Sequence, residues 1–97
     1  MTFANTEKLQ MFIERYLELS GELKYKKGEG QAHLQLGEIM TKKGDFNNGQ
    51  WNFYRAMKIA EELGDNDQKE KAKVNFGMAN ANLKWEKHQM EVLEKVK

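Results

Sequence analysis

The stretch Phe46-Asn-Asn-Gly49-Gln-Trp-Asn-Phe53-Tyr-Arg-Ala56-Met57-Lys-Ile-Ala60-Glu-Glu-Leu63-Gly64-Asp65 decides the fold. Phe46, Gly49, Phe53, Ala56, Met57, Ala60 and Leu63 recur at helical spacing and fall on one side of a 3.6-residue helix. A strand would alternate instead. Gly64 supplies a left-handed stop, and Asp65 after it can cap the next helix.

The same grammar extends outward. Leu9, Phe12, Ile13, Tyr16, Leu17 and Leu23 form an apolar face near the N-terminus, and Leu36, Gly37 and Met40 begin another. Gly44-Asp45 repeats the stop of Gly64-Asp65. Asn5 or Thr6 can cap the first helix, and Asp67 with Glu70 resembles a capping box. The spacing predicts five helices over 6–23, 30–43, 46–63, 67–83 and 86–96, joined by short turns that favour antiparallel neighbours.

Composition agrees with an all-α chain and narrows its chemistry. The 97 residues contain no Pro, and 32% are charged. With no Cys, disulfides and thiolate metal sites are excluded. Sixteen Lys+Arg against fifteen Asp+Glu leave a net charge of +1, which is no basic footprint for nucleic acid. Mean hydropathy is −0.88, and no apolar run approaches the roughly 18 residues of a membrane span. The first residues lack the regions of a signal peptide, so a cytoplasmic location is expected.

The chain also resembles itself. A shift of 40 residues aligns Gln10 with Gln50, Arg15 with Arg55, Glu22-Leu23 with Glu62-Leu63, Ala32 with Ala72 and Gly37 with Gly77. At an offset of 39, Phe46 meets Trp85, Gln50 meets Gln89 and Phe53 meets Val92. Two helices per period is the mark of an α-solenoid.

On these residues the chain resembles a tetratricopeptide repeat. The stretches that carry the likeness are Gly28-Glu-Gly-Gln-Ala-His-Leu-Gln-Leu-Gly37, Gly44-Asp-Phe46 and Ala56-Met-Lys-Ile-Ala-Glu-Glu-Leu-Gly-Asp65. The length of the period is similar to that of the longer subtype, found in Leu-Gly-Asn-repeat scaffold proteins of cell polarity and in proteins of cilia and flagella. The resemblance implies helical hairpins stacked as a solenoid: a lone B-type helix at 6–23, a first repeat at 30–63 and a second at 67–97. It also implies that Gly37 and Gly77 let paired helices meet. The second repeat departs from the pattern, with His88 and Lys95 where small residues are expected, and the usual Trp is replaced by His33 in the first repeat and Lys73 in the second. About two and a half repeats leave apolar ends uncovered, at Leu9, Phe12, Ile13, Tyr16 and Leu17 and at Val92, Leu93 and Val96. A segment of a longer solenoid, or self-association through the bare edges, would cover them.

No constellation for catalysis stands out, and no cofactor or metal is expected. His33 and His88 are the only histidines and are 55 positions apart, so His33 reads as a packing residue. Gly28-Glu29-Gly30 lacks the rest of a dinucleotide loop and reads as an interhelix turn. Lys24, Lys26 and Lys27 around Tyr25, with Lys69, Lys71 and Lys73, could track phosphates, but acidic residues interleave, so nucleic acid is a minor alternative. Met11, Met40 and Met57 read as core, and Met78 and Met90 as contact residues.

The resemblance points instead to a concave groove lined by the A helices. Its positions are Gln31, Leu34, Gln35, Glu38, Thr41 and Lys42 on helix 30–43, and Lys71, Val74, Asn75, Met78, Ala81 and Asn82 on helix 67–83. Gln35 and Asn75 carry amides that suit an extended backbone. Glu38 would repel the terminal carboxylate that chaperone-binding members of the family hold. The expected partner is therefore a protein or peptide, in a scaffold or adaptor role. Assembly within a cytoskeletal or axonemal complex is the alternative.

Overall fold

Three turns of one design divide the chain. A computed structural model describes the backbone of residues 3–96 and the side chains of residues 6–95. It contains α1 (Phe3–Glu22), α2 (Lys26–Lys42), α3 (Phe46–Leu63) and α4 (Asn66–Val96), with no strand among the described residues. At the second turn Gly44 N–H donates to Thr41 O (3.0 Å) and Asp45 N–H to Met40 O (2.9 Å). At the third, Gly64 N–H donates to Glu61 O (3.2 Å) and Asp65 N–H to Ala60 O (3.0 Å). Both are Schellman closures, with Gly44 (φ 85°) and Gly64 (φ 69°) in the left-handed region. The first turn has the same pair of bonds, Lys24 N–H to Gly21 O and Tyr25 N–H to Ser20 O. Here Lys24, at φ 57°, takes the position that glycine fills elsewhere.

The new helices are capped at the same turns. Asp45 Oδ1 accepts from Asn48 N–H (3.3 Å), and Asp65 Oδ1 accepts from Gln68 N–H (3.1 Å). The cap of α4 is thus Asp65 and not Asp67. Asn5 and Thr6 lie within α1 rather than ahead of it.

Two expectations from the sequence are corrected. Gly28-Glu29-Gly30 is not a turn: α2 begins at Lys26, and Gly28 and Gly30 are buried in it. A Cβ on Gly28 would come within 2.6 Å of Ser20 Oγ, so this glycine seats α2 on α1. The second correction concerns the architecture. The expected fifth helix does not exist as a separate element, because 67–83 and 86–96 belong to one unbroken 31-residue α4. No glycine occurs after Gly77, and Leu83-Lys84-Trp85-Glu86-Lys87 contains no cap or turn residue, so nothing stops the helix. Four helices replace the five-helix tetratricopeptide-like solenoid, and the second helical hairpin that such a solenoid requires is absent.

Packing follows chain order. α2 packs on α1, α3 on α2, and α4 on α3, with a smaller contact between α2 and α4. One core joins Leu34, Phe53, Ala56, Ala72 and Ala79, with Met57 and Phe76 at its margin. The other joins Ile13, Ala32, Leu36 and Ile39, with Leu17 against it. α2 therefore contributes to both. The α2–α3 crossing is close because glycines face each other there. A Cβ on Gly37 would meet the Phe53 ring at 2.6 Å, and one on Gly49 would meet Thr41 Oγ1 at 2.6 Å and Gly37 O at 3.3 Å. Gly77 has nothing within 4 Å of an added Cβ. It brings no helices together, since the helix expected to fold onto it runs on as α4. The molecule is elongated, 54 × 32 × 21 Å, with a radius of gyration of 15.4 Å. A compact chain of this length would have about 12–13 Å.

Candidate interaction surface

α4 carries apolar side chains on two sides. Ala72, Phe76, Ala79 and Leu83 are spaced 4, 3 and 4 apart and turn toward the body, with Ala72 and Ala79 fully buried. Val74, Met78, Ala81, Trp85, His88 and Val92 are spaced 4, 3, 4, 3 and 4 apart and lie on the opposite side. All six are exposed, Val74 and Met78 at 60% and Trp85 at 59%. From Lys84 onward every described side chain is exposed. About 20 Å of helix, residues 84–96, thus projects beyond the packed body.

The outward stripe has a definite structure. The Trp85 and His88 rings lie 6.4 Å apart and tilted at 38°. Trp85, His88, Gln89, Val92 and Leu93 together line a shallow open depression. Lys84 and Glu91 flank the stripe along one edge, while Asn75, Asn82 and Gln89 flank the other. A second exposed apolar patch lies on α1, where Met11 and Phe12 stand among Lys8, Glu14, Arg15 and Glu18. Met11 was expected in the core and is 68% exposed. Met40 and Met57 are half-buried, and Met78 and Met90 are exposed.

The residues expected to line a groove are placed unevenly. Leu34 is buried in the core against Phe53 and Ala72. The Thr41 hydroxyl donates to Gly37 O at 2.8 Å. Gln31, Gln35 and Lys42 are exposed on α2, and Glu38 is half-buried. On α4, Lys71 and Met78 are exposed, and Asn75 and Asn82 are half-buried. Of the twelve, Val74, Met78 and Ala81 are exposed on the outward stripe, and Asn75 and Asn82 lie along its edge. In the two lysine groups, Lys26 pairs with Glu29 (3.5 Å) and Lys69 with Glu61 (3.5 Å).

His33 is a buried packing residue with a specific polar partner. Its Nδ1 lies 2.9 Å from Asn52 Oδ1, and its ring meets Trp51 edge-on at 5.5 Å. Asn52 Nδ2 donates to Asn48 O at 2.8 Å, which orients the amide and leaves Oδ1 as an acceptor. Nδ1 is therefore the protonated nitrogen. Burial pushes the His33 pKa below its ordinary value; the Asn52 hydrogen bond opposes that shift, Arg55 adds to it and Glu29 opposes it. The chain of groups continues through Asn48 Nδ2, which donates to Asp45 Oδ2 at 2.6 Å. This network ties α2 to the N-terminus of α3, and sequence reading named His33 without finding Asn52. Between α3 and α4, Gln50 Nε2 donates to Asn80 Oδ1 at 3.2 Å.

Among the described residues, no group of three His, Cys, Asp or Glu side chains is placed to hold a metal ion. No described helix is long and apolar enough to cross a membrane. No family model, no curated protein and no solved structure matches the chain. The chain is an all-α helical protein, and the comparisons lend no support to its likeness to tetratricopeptide repeats.

Proposed function

We propose that this chain is a non-catalytic protein-interaction module that receives a helix of another protein along the outward face of α4. The carrying observation is the exposed stripe Val74, Met78, Ala81, Trp85, His88 and Val92, opposite the face α4 packs on α3. Its 4-3-4-3-4 spacing is the seam that a second helix fills by knobs-into-holes packing. An aromatic anchor such as Trp85, with its large apolar area and one N–H donor, is the type of residue that dominates such interfaces. The polar edges made by Lys84, Glu91, Asn82 and Gln89 supply register rather than most of the affinity.

The test is selection of helical peptides by display against the intact chain, followed by binding to a Trp85→Glu/Val92→Glu variant. Selected peptides should lose at least about tenfold in affinity for the variant, because buried carboxylates replace apolar anchors. The variant's thermal melt should remain close to that of the parent, since both side chains are exposed. Unchanged binding would remove α4 from the interface.

A further inference from the structure

We infer that the helix received by α4 is α4 of a second copy, paired antiparallel about a two-fold axis near Glu86 and Lys87. This deepens the reading of the stripe as a helix-docking face and rests on it. The argument is complementarity of the stripe with itself. In the antiparallel register, Trp85 of one copy packs against His88 of the other, and Val92 against Ala81, so large side chains meet smaller ones across the seam.

The flanks agree with the same register. On one edge Lys84 faces Glu91 of the second copy, and the two-fold axis repeats the pair. On the other edge Asn82 faces Gln89 of the second copy, again twice, and these amides can donate and accept together. Parallel pairing gives none of this. It sets Trp85 on Trp85 and His88 on His88, and it leaves Lys84 beside the uncharged Gln89. Self-complementary charge therefore exists in one orientation only.

The geometry also leaves room for the pairing. Each body lies along the N-terminal half of α4 and on the side away from the stripe, so the two bodies sit at opposite ends of the pair. The projecting helix has a reason to be covered as well. An isolated helix of about 13 residues is marginal in water, and every described side chain from Lys84 onward is exposed.

Sedimentation equilibrium of the intact chain should give twice 11.4 kDa at about 100 μM, dissociating on dilution. Lys84→Glu should weaken the dimer about tenfold at low salt, and Glu91→Lys similarly, because each converts two attractive pairs to repulsive ones. The double exchange Lys84→Glu/Glu91→Lys should restore it. Orientation is read by oxidative cross-linking in this cysteine-free chain. A Lys84→Cys chain mixed with a Glu91→Cys chain should form the mixed disulfide, and neither should link to itself, since like positions lie about 10 Å apart along the axis.

A monomer at that concentration overturns the inference. So does a dimer indifferent to the three charge variants, or one in which Lys84→Cys links to itself. A monomer that still binds selected helical peptides through Trp85 would end self-pairing and leave the interaction-module reading standing. Failure of the peptide selection as well would end both.

Discussion

The Phe53 ring lies directly on Gly37, so close that a Cβ at position 37 would come within 2.6 Å of it. That contact sets how near α3 approaches α2, and Gly49 against Thr41 sets it again one turn away. Gly37→Ala should cost about 1–3 kcal/mol, because the ring is 2% exposed and has little space to move into. Gly77 has an open surrounding in the middle of α4, so Gly77→Ala should stabilise by about 0.5–1 kcal/mol through helix propensity and chain entropy. Urea denaturation of the two variants reads both signs. Destabilisation by the second would show a helix packed on Gly77.

The two glycines look alike in sequence, each following a bulky residue at a 40-residue spacing. Nothing in their local pattern says that one is covered and the other bare, since that depends on whether the chain turns back after Leu83. The α3 boundaries, Phe46 and Leu63, were legible because an apolar face, a glycine stop and an Asp cap coincide at both ends. The first turn was misplaced because Lys24 takes the left-handed position while real glycines, Gly28 and Gly30, stand a few residues on and invite a false break. The α4 stripe was present in the sequence as the 4-3-4-3-4 spacing from Val74 to Val92. A break placed between Leu83 and Glu86 cut it in two and hid it.

The first turn offers a direct measure of backbone strain. Lys24 at φ 57° bears a penalty that Gly44 and Gly64 avoid, of about 1–2 kcal/mol for an L side chain. Lys24→Gly should therefore stabilise the fold by about 0.5–1 kcal/mol after the extra entropy of glycine in the unfolded chain is subtracted. Gly64→Ala should cost about 1–2 kcal/mol at the equivalent position. Thermal melts of both variants test the pair, and a loss of stability on Lys24→Gly would mean that its side chain holds the turn.

Acid should loosen the α2–α3 seam through His33. Its folded-state pKa is depressed by burial, so between that value and about 6.5 the unfolded chain binds the proton more readily. Unfolding then takes up protons, and stability falls as pH drops below about 6.5, levelling off only below the folded pKa. At neutral pH and above, His33 is neutral in both states and contributes no slope. His33→Gln should flatten the stability profile just below about pH 6.5. Denaturation midpoints across that range check it. An unchanged slope in His33→Gln would assign the dependence to other groups.

The two halves of α4 should respond differently to changes on its two faces. Residues 66–83 are held by α3 through Ala72, Phe76 and Ala79, whereas residues 84–96 depend on what covers Trp85 and Val92. Ala79→Leu puts three carbons into a site that is 0% exposed and should cost about 1–3 kcal/mol for the whole molecule. Trp85→Glu/Val92→Glu should leave global stability nearly unchanged but let amides 84–96 exchange as fast as those of a frayed helix end. Hydrogen exchange read by mass spectrometry separates the two. The boundary of protection should fall near Leu83, the last described side chain of α4 that is half-buried. Protection that persisted through residue 96 in the double-Glu variant would mean that some surface other than the outward stripe supports the end of α4.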